Sequence, residues 1–153
     1  MRAKLSIFII VLTLCAALSA PASAERFYRP LFSFDIPSGW TWEETEGSGE
    51  NPAYWLYGPN GEAVLLGAEP GKGRSLKQAA EEEWADLKEW VTGPLVKLDE
   101  NLYTFPINEA TSLGDSRVLV GRIKKTGVIF YMLSSVKHTE AADRLYRTVR
   151  VGE

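Results

Sequence analysis

The chain has 153 residues with one Cys, one His, five Trp and a formal net charge of −3, a size that fits one domain. Cys15 and the positive Arg2 and Lys4 sit in an N-terminal stretch that reads as a secretory signal, with a largely apolar run over 5–18 and a small-x-small site at Ala22-Ser23-Ala24. Cleavage after Ala24 takes the charge from −3 to −5 and leaves no Cys, which excludes a catalytic thiol, a disulfide framework, a thiolate metal site and attached haem.

The expected product is a single domain over 25–153 in the periplasm or outside the cell. The apolar run in the signal is shorter than the roughly 20 residues that span a bilayer. Each later apolar run is broken by a charge, Gly or Pro, so no stable membrane insertion is expected after cleavage.

From residue 31 the hydrophobic period is two. Phe32, Phe34 and Ile36 share one face of a strand over 31–36, and Pro37-Ser38-Gly39 ends it. Trp40 and Trp42 share a face over 40–44. The polar stretch 45–52 is a hairpin loop, and 53–57 is the returning strand. Asn60-Gly61 marks a turn before a strand over 62–68.

The period then changes to 3.6. Ser75 and Gln78 form a capping box, and Leu76, Ala80, Trp84, Leu87 and Val91 make one apolar stripe, predicting a helix that Gly93-Pro94 stops. Strands are expected over 95–98 and 102–107, a loop over 111–115, and a hairpin from 117–124 to 128–136. Residues 128–133 are apolar on both faces, so this strand belongs in the middle of the sheet with cover on each side. A closing helix begins at Thr139 as N-cap, with Leu145, Tyr146 and Val149 on its inner side. Runs of strands with a helix after each predict an α+β fold with a mainly antiparallel sheet flanked by helices.

This order, together with Phe32-Ser33-Phe34-Asp35-Ile36-Pro37-Ser38-Gly39-Trp40, the Ser75-Leu76 helix start and the 128–136 strand before a terminal helix, resembles the PsbP-like family. That family comprises photosystem II extrinsic subunits and bacterial DcrB-type envelope proteins. The resemblance implies a PsbP-like α/β sandwich and, as in many members, a non-catalytic binding or assembly role. It supplies no universal catalytic residue.

The residues carry few chemical motifs. His138 is the sole imidazole, so a hydrolase relay has to run through it with Ser134 or Ser135 and Asp143, and no Gly-x-Ser-x-Gly elbow accompanies them. Paired carboxylates are the other hydrolase route, with too many acidic residues to single out a pair. No Asp-x-Asp-x-Asp-Gly calcium loop is present. Lys72, Arg74 and Ser75 stand at a helix start and form a candidate anion site, although Gly67 to Gly71 lacks phosphate-loop spacing and Gly73 replaces the magnesium-binding hydroxyl.

The aromatic hairpin is the strongest lead. With Trp55 and Tyr57 turned inward, Tyr54 and Leu56 face outward beside the acidic loop and, with Glu46 and Glu50, form the expected partner-binding surface. A charge of −5 disfavours nucleic acid. The sequence therefore reads as an exported accessory protein without cofactor or catalytic residues, acting on another envelope protein. Its alternatives are an immunity or inhibitor protein for an envelope toxin, a small-molecule binder, or a secreted hydrolase.

Overall fold

A computed structural model describes residues 24–45, 51–109, 113–123 and 127–149. The signal segment 1–23 lies outside them. In chain order the elements are β1 Glu25–Tyr28, β2 Ser33–Ile36, β3 Thr41–Glu44, β4 Tyr54–Tyr57, β5 Ala63–Glu69, α1 Leu76–Asp86, β6 Val96–Asp99, β7 Leu102–Glu109, β8 Gly114–Ile123, β9 Val128–Ser135 and α2 Thr139–Thr148. The 3-10 turn Val136–His138 leads into α2. Among the described residues no helix is long and apolar enough to cross a membrane.

Seven strands form one antiparallel sheet in the order β3-β4-β5-β9-β8-β7-β6, and β1 and β2 pair separately. β9 occupies the centre, as its two-faced apolar sequence predicts. Val128, Phe130 and Met132 enter one hydrophobic layer, while Ile129, Tyr131 and Leu133 pack with the other. The α+β class and antiparallel sheet expected from the sequence are both present.

The first layer lies under the β1-β2 hairpin and α2. Phe27 is its hub, with ring centroids 4.8 Å from Phe34, 4.7 Å from Trp42 and 5.2 Å from Tyr54. These edge and tilted contacts suit the quadrupoles of the rings. The Arg29 guanidinium lies 3.7 Å from the Phe27 centroid and donates to the Tyr54 hydroxyl at 2.8 Å. Arg26 closes the side of this layer by donating to Asp35 Oδ1 at 2.7 Å and to the Thr148 carbonyl at 3.2 Å, which ties the hairpin to the end of α2. β1 has no counterpart in the sequence prediction, because Phe27 is its single buried residue and no alternation announces it.

α1 covers the second layer over β7 and β8 with Leu76, Ala79 and Ala80. Its start is the predicted capping box: Gln78 N donates to Ser75 Oγ at 3.1 Å and Ser75 N donates to Gln78 Oε1 at 2.9 Å. Its end is earlier than the stripe to Val91 predicts. The chain leaves the helix at Asp86 because residues 90–92 bond to β7 instead: Asn108 N donates to Trp90 O at 2.8 Å, Thr92 N to Pro106 O at 3.1 Å, and Val91 bridges to Ile107. Satisfying that strand edge takes precedence over continuing the helix. Trp84 is 37% exposed, its indole N–H donating to Gly93 O at 3.3 Å. At α2 the cap position falls on His138, which makes no side-chain cap bond, and Thr139 is the first helical residue.

Candidate functional site

The orientation of β4 is the reverse of the expected one. Tyr54 and Leu56 are 1% and 0% exposed and belong to the first layer, whereas Trp55 and Tyr57 turn away from it. The physical reason is the β1-β2 hairpin, which the sequence reading lacked: Phe27, Phe32 and Phe34 form an apolar cover on that side and draw Tyr54 and Leu56 under it. Tyr54 and Leu56 are thus core residues and not a contact surface. Glu46 and Glu50 lie outside the described residues. Trp55 and Tyr57 stack with centroids 6.2 Å apart, and the Tyr57 hydroxyl donates to Glu43 Oε1 at 2.6 Å, a bond that pushes the phenol pKa up.

Lys72 and Arg74 do line one cleft, of about 570 Å³, together with Arg122. The Arg74 charge and the Ser75 hydroxyl are committed elsewhere. Ser75 Oγ caps α1, and Arg74 pairs with Glu69 and Glu82, whose hydrogen bonds raise the guanidinium pKa further. Lys72 adopts a left-handed φ of 50° beside Gly73 at 77°. The relay through His138 is not assembled either. Asp143 accepts from Arg117 at 2.7 Å, Ser135 Oγ accepts from Lys137 N at 3.3 Å, and Ser134 Oγ is buried with no hydrogen-bond partner among the described residues. Among the described residues no group of three or more His, Cys, Asp or Glu is placed to hold a metal ion.

The register of the sheet reveals a different site. Trp55 pairs with Leu65, Leu65 with Leu133, Leu133 with Val118 and Val118 with Phe105, so five apolar residues form one row across β4, β5, β9, β8 and β7. α1 covers only one end of this row. Phe105 and Val118 are buried beneath it, while Leu133, Leu65 and Trp55 remain half-buried. The next row contains Gly67 opposite Tyr131, and the missing side chain leaves space between α1 and β5. A Cβ at Gly67 would stand 3.3 Å from the Ala53 Cβ, so even this small group tightens that wall.

The result is a groove of about 300 Å³ floored by Leu65, Gly67, Val118 and Leu133 and walled by Glu83 and Leu87. Polar groups gather at one end. Tyr131 donates to Glu69 Oε1 at 2.5 Å, and Arg74 pairs with the same oxygen. Burial and the bond to Glu69 push the Tyr131 pKa up, which keeps the phenol protonated at neutral pH. Glu83 contributes a half-buried carboxyl whose pKa is raised by burial and by the negative charges of Asp86 and Glu69. A mainly apolar concavity with a few convergent polar groups is the usual form of a ligand site. Sequence reasoning missed it because Leu65, Leu133 and Glu83 come from three separate elements; the alternation of β5 and β9 was the available signal.

The comparisons with known proteins concern the fold. A crystal structure from Bacteroides thetaiotaomicron VPI-5482 superposes with a TM-score of 0.51 at 17% identity, covering 86% of this chain and 49% of that one, so the chain spans about half the length of that protein. The solution structure of cyanobacterial PsbP (CyanoP) from Synechocystis sp. PCC 6803 gives a TM-score of 0.52 at 12% identity, covering 88% of this chain and 95% of that one. No protein-family model and no curated protein matches the sequence. The chain therefore has the PsbP-like α+β fold, and at these identities the likeness extends to architecture alone.

Proposed function

We propose that the chain is an exported accessory protein that acts by binding and not by catalysis, and that its ligand occupies the groove between α1 and β5. The observation that carries this reading is the apolar row from Trp55 to Phe105, which the protein's own helix covers at one end and leaves open at the other. A half-covered sheet face is costly to leave in water, at about 25 cal/mol per Å² of apolar surface, and an occupant removes that cost. The PsbP-like architecture supports a non-catalytic role by analogy.

Fragment screening by amide chemical shifts tests the site. Binding that shifts Leu65, Gly67, Val118 and Leu133 together, and that Leu65→Trp abolishes without unfolding the chain, is the expected result. Shifts confined to the Lys72 cleft, or no shifts at all, overturn it. Another envelope protein is the second reading of the occupant, favoured by the Trp55–Tyr57 stack, which extends the open face outward from the groove along β4. Export is tested separately by cell fractionation and the mass of the mature N-terminus, expected at Glu25.

A further inference from the structure

Resting on that groove as the binding site, we propose that it selects small ligands carrying a cationic nitrogen on an apolar body, an alkylammonium or arylalkylammonium. The distribution of charge around the groove is one-sided. Glu69 is balanced by Arg74 and by the Tyr131 hydroxyl, and the same guanidinium also takes Glu82 at 2.5 Å. Lys77 pairs with Glu81 along the exposed side of α1. Glu83, which lines the groove, takes part in none of the ion pairs among the described residues. Asp86, one helical turn further on, adds negative potential at the same carboxyl.

A half-buried carboxylate without a cation is an unfavourable arrangement in the free protein and a favourable one once a cation arrives. The apolar floor specifies the rest of the ligand. A hydrocarbon or aromatic body covers Leu65, Leu133 and Val118 while the ammonium donates to Glu83 in a charge-assisted hydrogen bond. Tyr131 lines the same groove and adds an aromatic ring to the apolar lining. A neutral hydroxyl in place of the ammonium leaves the carboxylate uncompensated, and a carboxylate ligand is repelled by Glu83 and Asp86 together. The volume of about 300 Å³ lies at the small end of ligand sites, which fits a single ring or short chain in preference to an extended ligand.

The probes are three isosteres: phenethylamine, 2-phenylethanol and 3-phenylpropanoate, titrated into the protein at pH 7.5 and followed by groove amide shifts. The amine should bind about tenfold more tightly than the alcohol, the difference expected of one charge-assisted bond, and the carboxylate should not bind. On Glu83→Gln the amine and the alcohol should bind with equal affinity. This variant removes a charge that burial disfavours, so its thermal midpoint should not fall. Equal binding of amine and alcohol, or an amine advantage that survives Glu83→Gln, overturns the cation selectivity and leaves the groove standing as a site. Failure of all three probes to shift any groove residue overturns both.

Discussion

Tyr131 on β9 reaches diagonally across Gly67 to donate its hydroxyl proton to Glu69 on β5, at 2.5 Å. Because Gly67 is the residue directly opposite, no side chain stands between the ring and the carboxylate. The same Glu69 oxygen holds Arg74, so one carboxylate oxygen links the sheet centre to the loop that leads into α1. Tyr131→Phe keeps the ring and removes the donor. It should lower the free energy of unfolding by about 1 kcal/mol, read from urea denaturation at pH 7, with the groove shape unchanged.

Two carboxyl groups of this region respond to pH in opposite senses. Burial alone would raise the Glu69 pKa, but hydrogen bonds from Tyr131 and Arg74 outweigh it and hold the carboxyl below its usual range. Its stabilising contribution is therefore present above the unfolded carboxylate value and is lost as pH falls through the lower folded value. The stability gap between the native chain and Tyr131→Phe should narrow on acidification through that window. Glu83 has a raised pKa, so its contribution is full below the unfolded value and is lost as pH rises through the folded one. Thermal midpoints of Glu83→Gln and the native chain should converge in acid, with the variant ahead near neutrality.

The two faces of β4 should separate cleanly in mutational energy. Leu56→Ala empties a fully buried position and should cost about 2–5 kcal/mol. Tyr57→Phe removes one hydrogen bond to Glu43 at a position 38% exposed and should stay within about 0.5 kcal/mol. Equilibrium denaturation of both variants checks the assignment of inner and outer faces directly.

Gly121 on β8 lies opposite Phe130 on β9, and the phenyl ring occupies the place of its side chain. An added Cβ would stand 2.2 Å from Phe130 Cζ, so the ring has to move within a packed layer. Gly121→Ala should destabilise by about 1–3 kcal/mol, and near-UV circular dichroism should register the displaced ring.

Local rules account for most of the architecture. The alternation of Phe32, Phe34 and Ile36, the Ser75–Gln78 box and the two-faced apolar run around Phe130 each point to one element in one setting, and the structure has them there. The facing of β4 is different in kind. Tyr54, Trp55, Leu56 and Tyr57 are apolar or aromatic on both sides, so the pattern alone assigns no inner face, and the decision rests on Phe27 and Phe34, which arrive from a separate hairpin. The end of α1 likewise depends on the distant β7, where Pro106, Ile107 and Asn108 accept and donate the bonds that draw residues 90–92 away from the helix. The groove combines both effects, since its open face follows from the facing of β4 and its wall from the early end of α1.

The position of β9 sets a schedule for assembly. Among the described residues it is the last strand in sequence and the middle one in space, so β3-β4-β5 and β6-β7-β8 have no shared edge until residues 128–135 have emerged. Before then β5 and β8 each present an unpaired backbone, and unpaired strand edges are templates for association between chains. A nascent or truncated chain ending before Val128 holds two half-sheets with their inner edges bare, a species prone to aggregate and dependent on being kept apart from its copies. Residues 128–135 are in this sense the keystone that joins the two half-sheets.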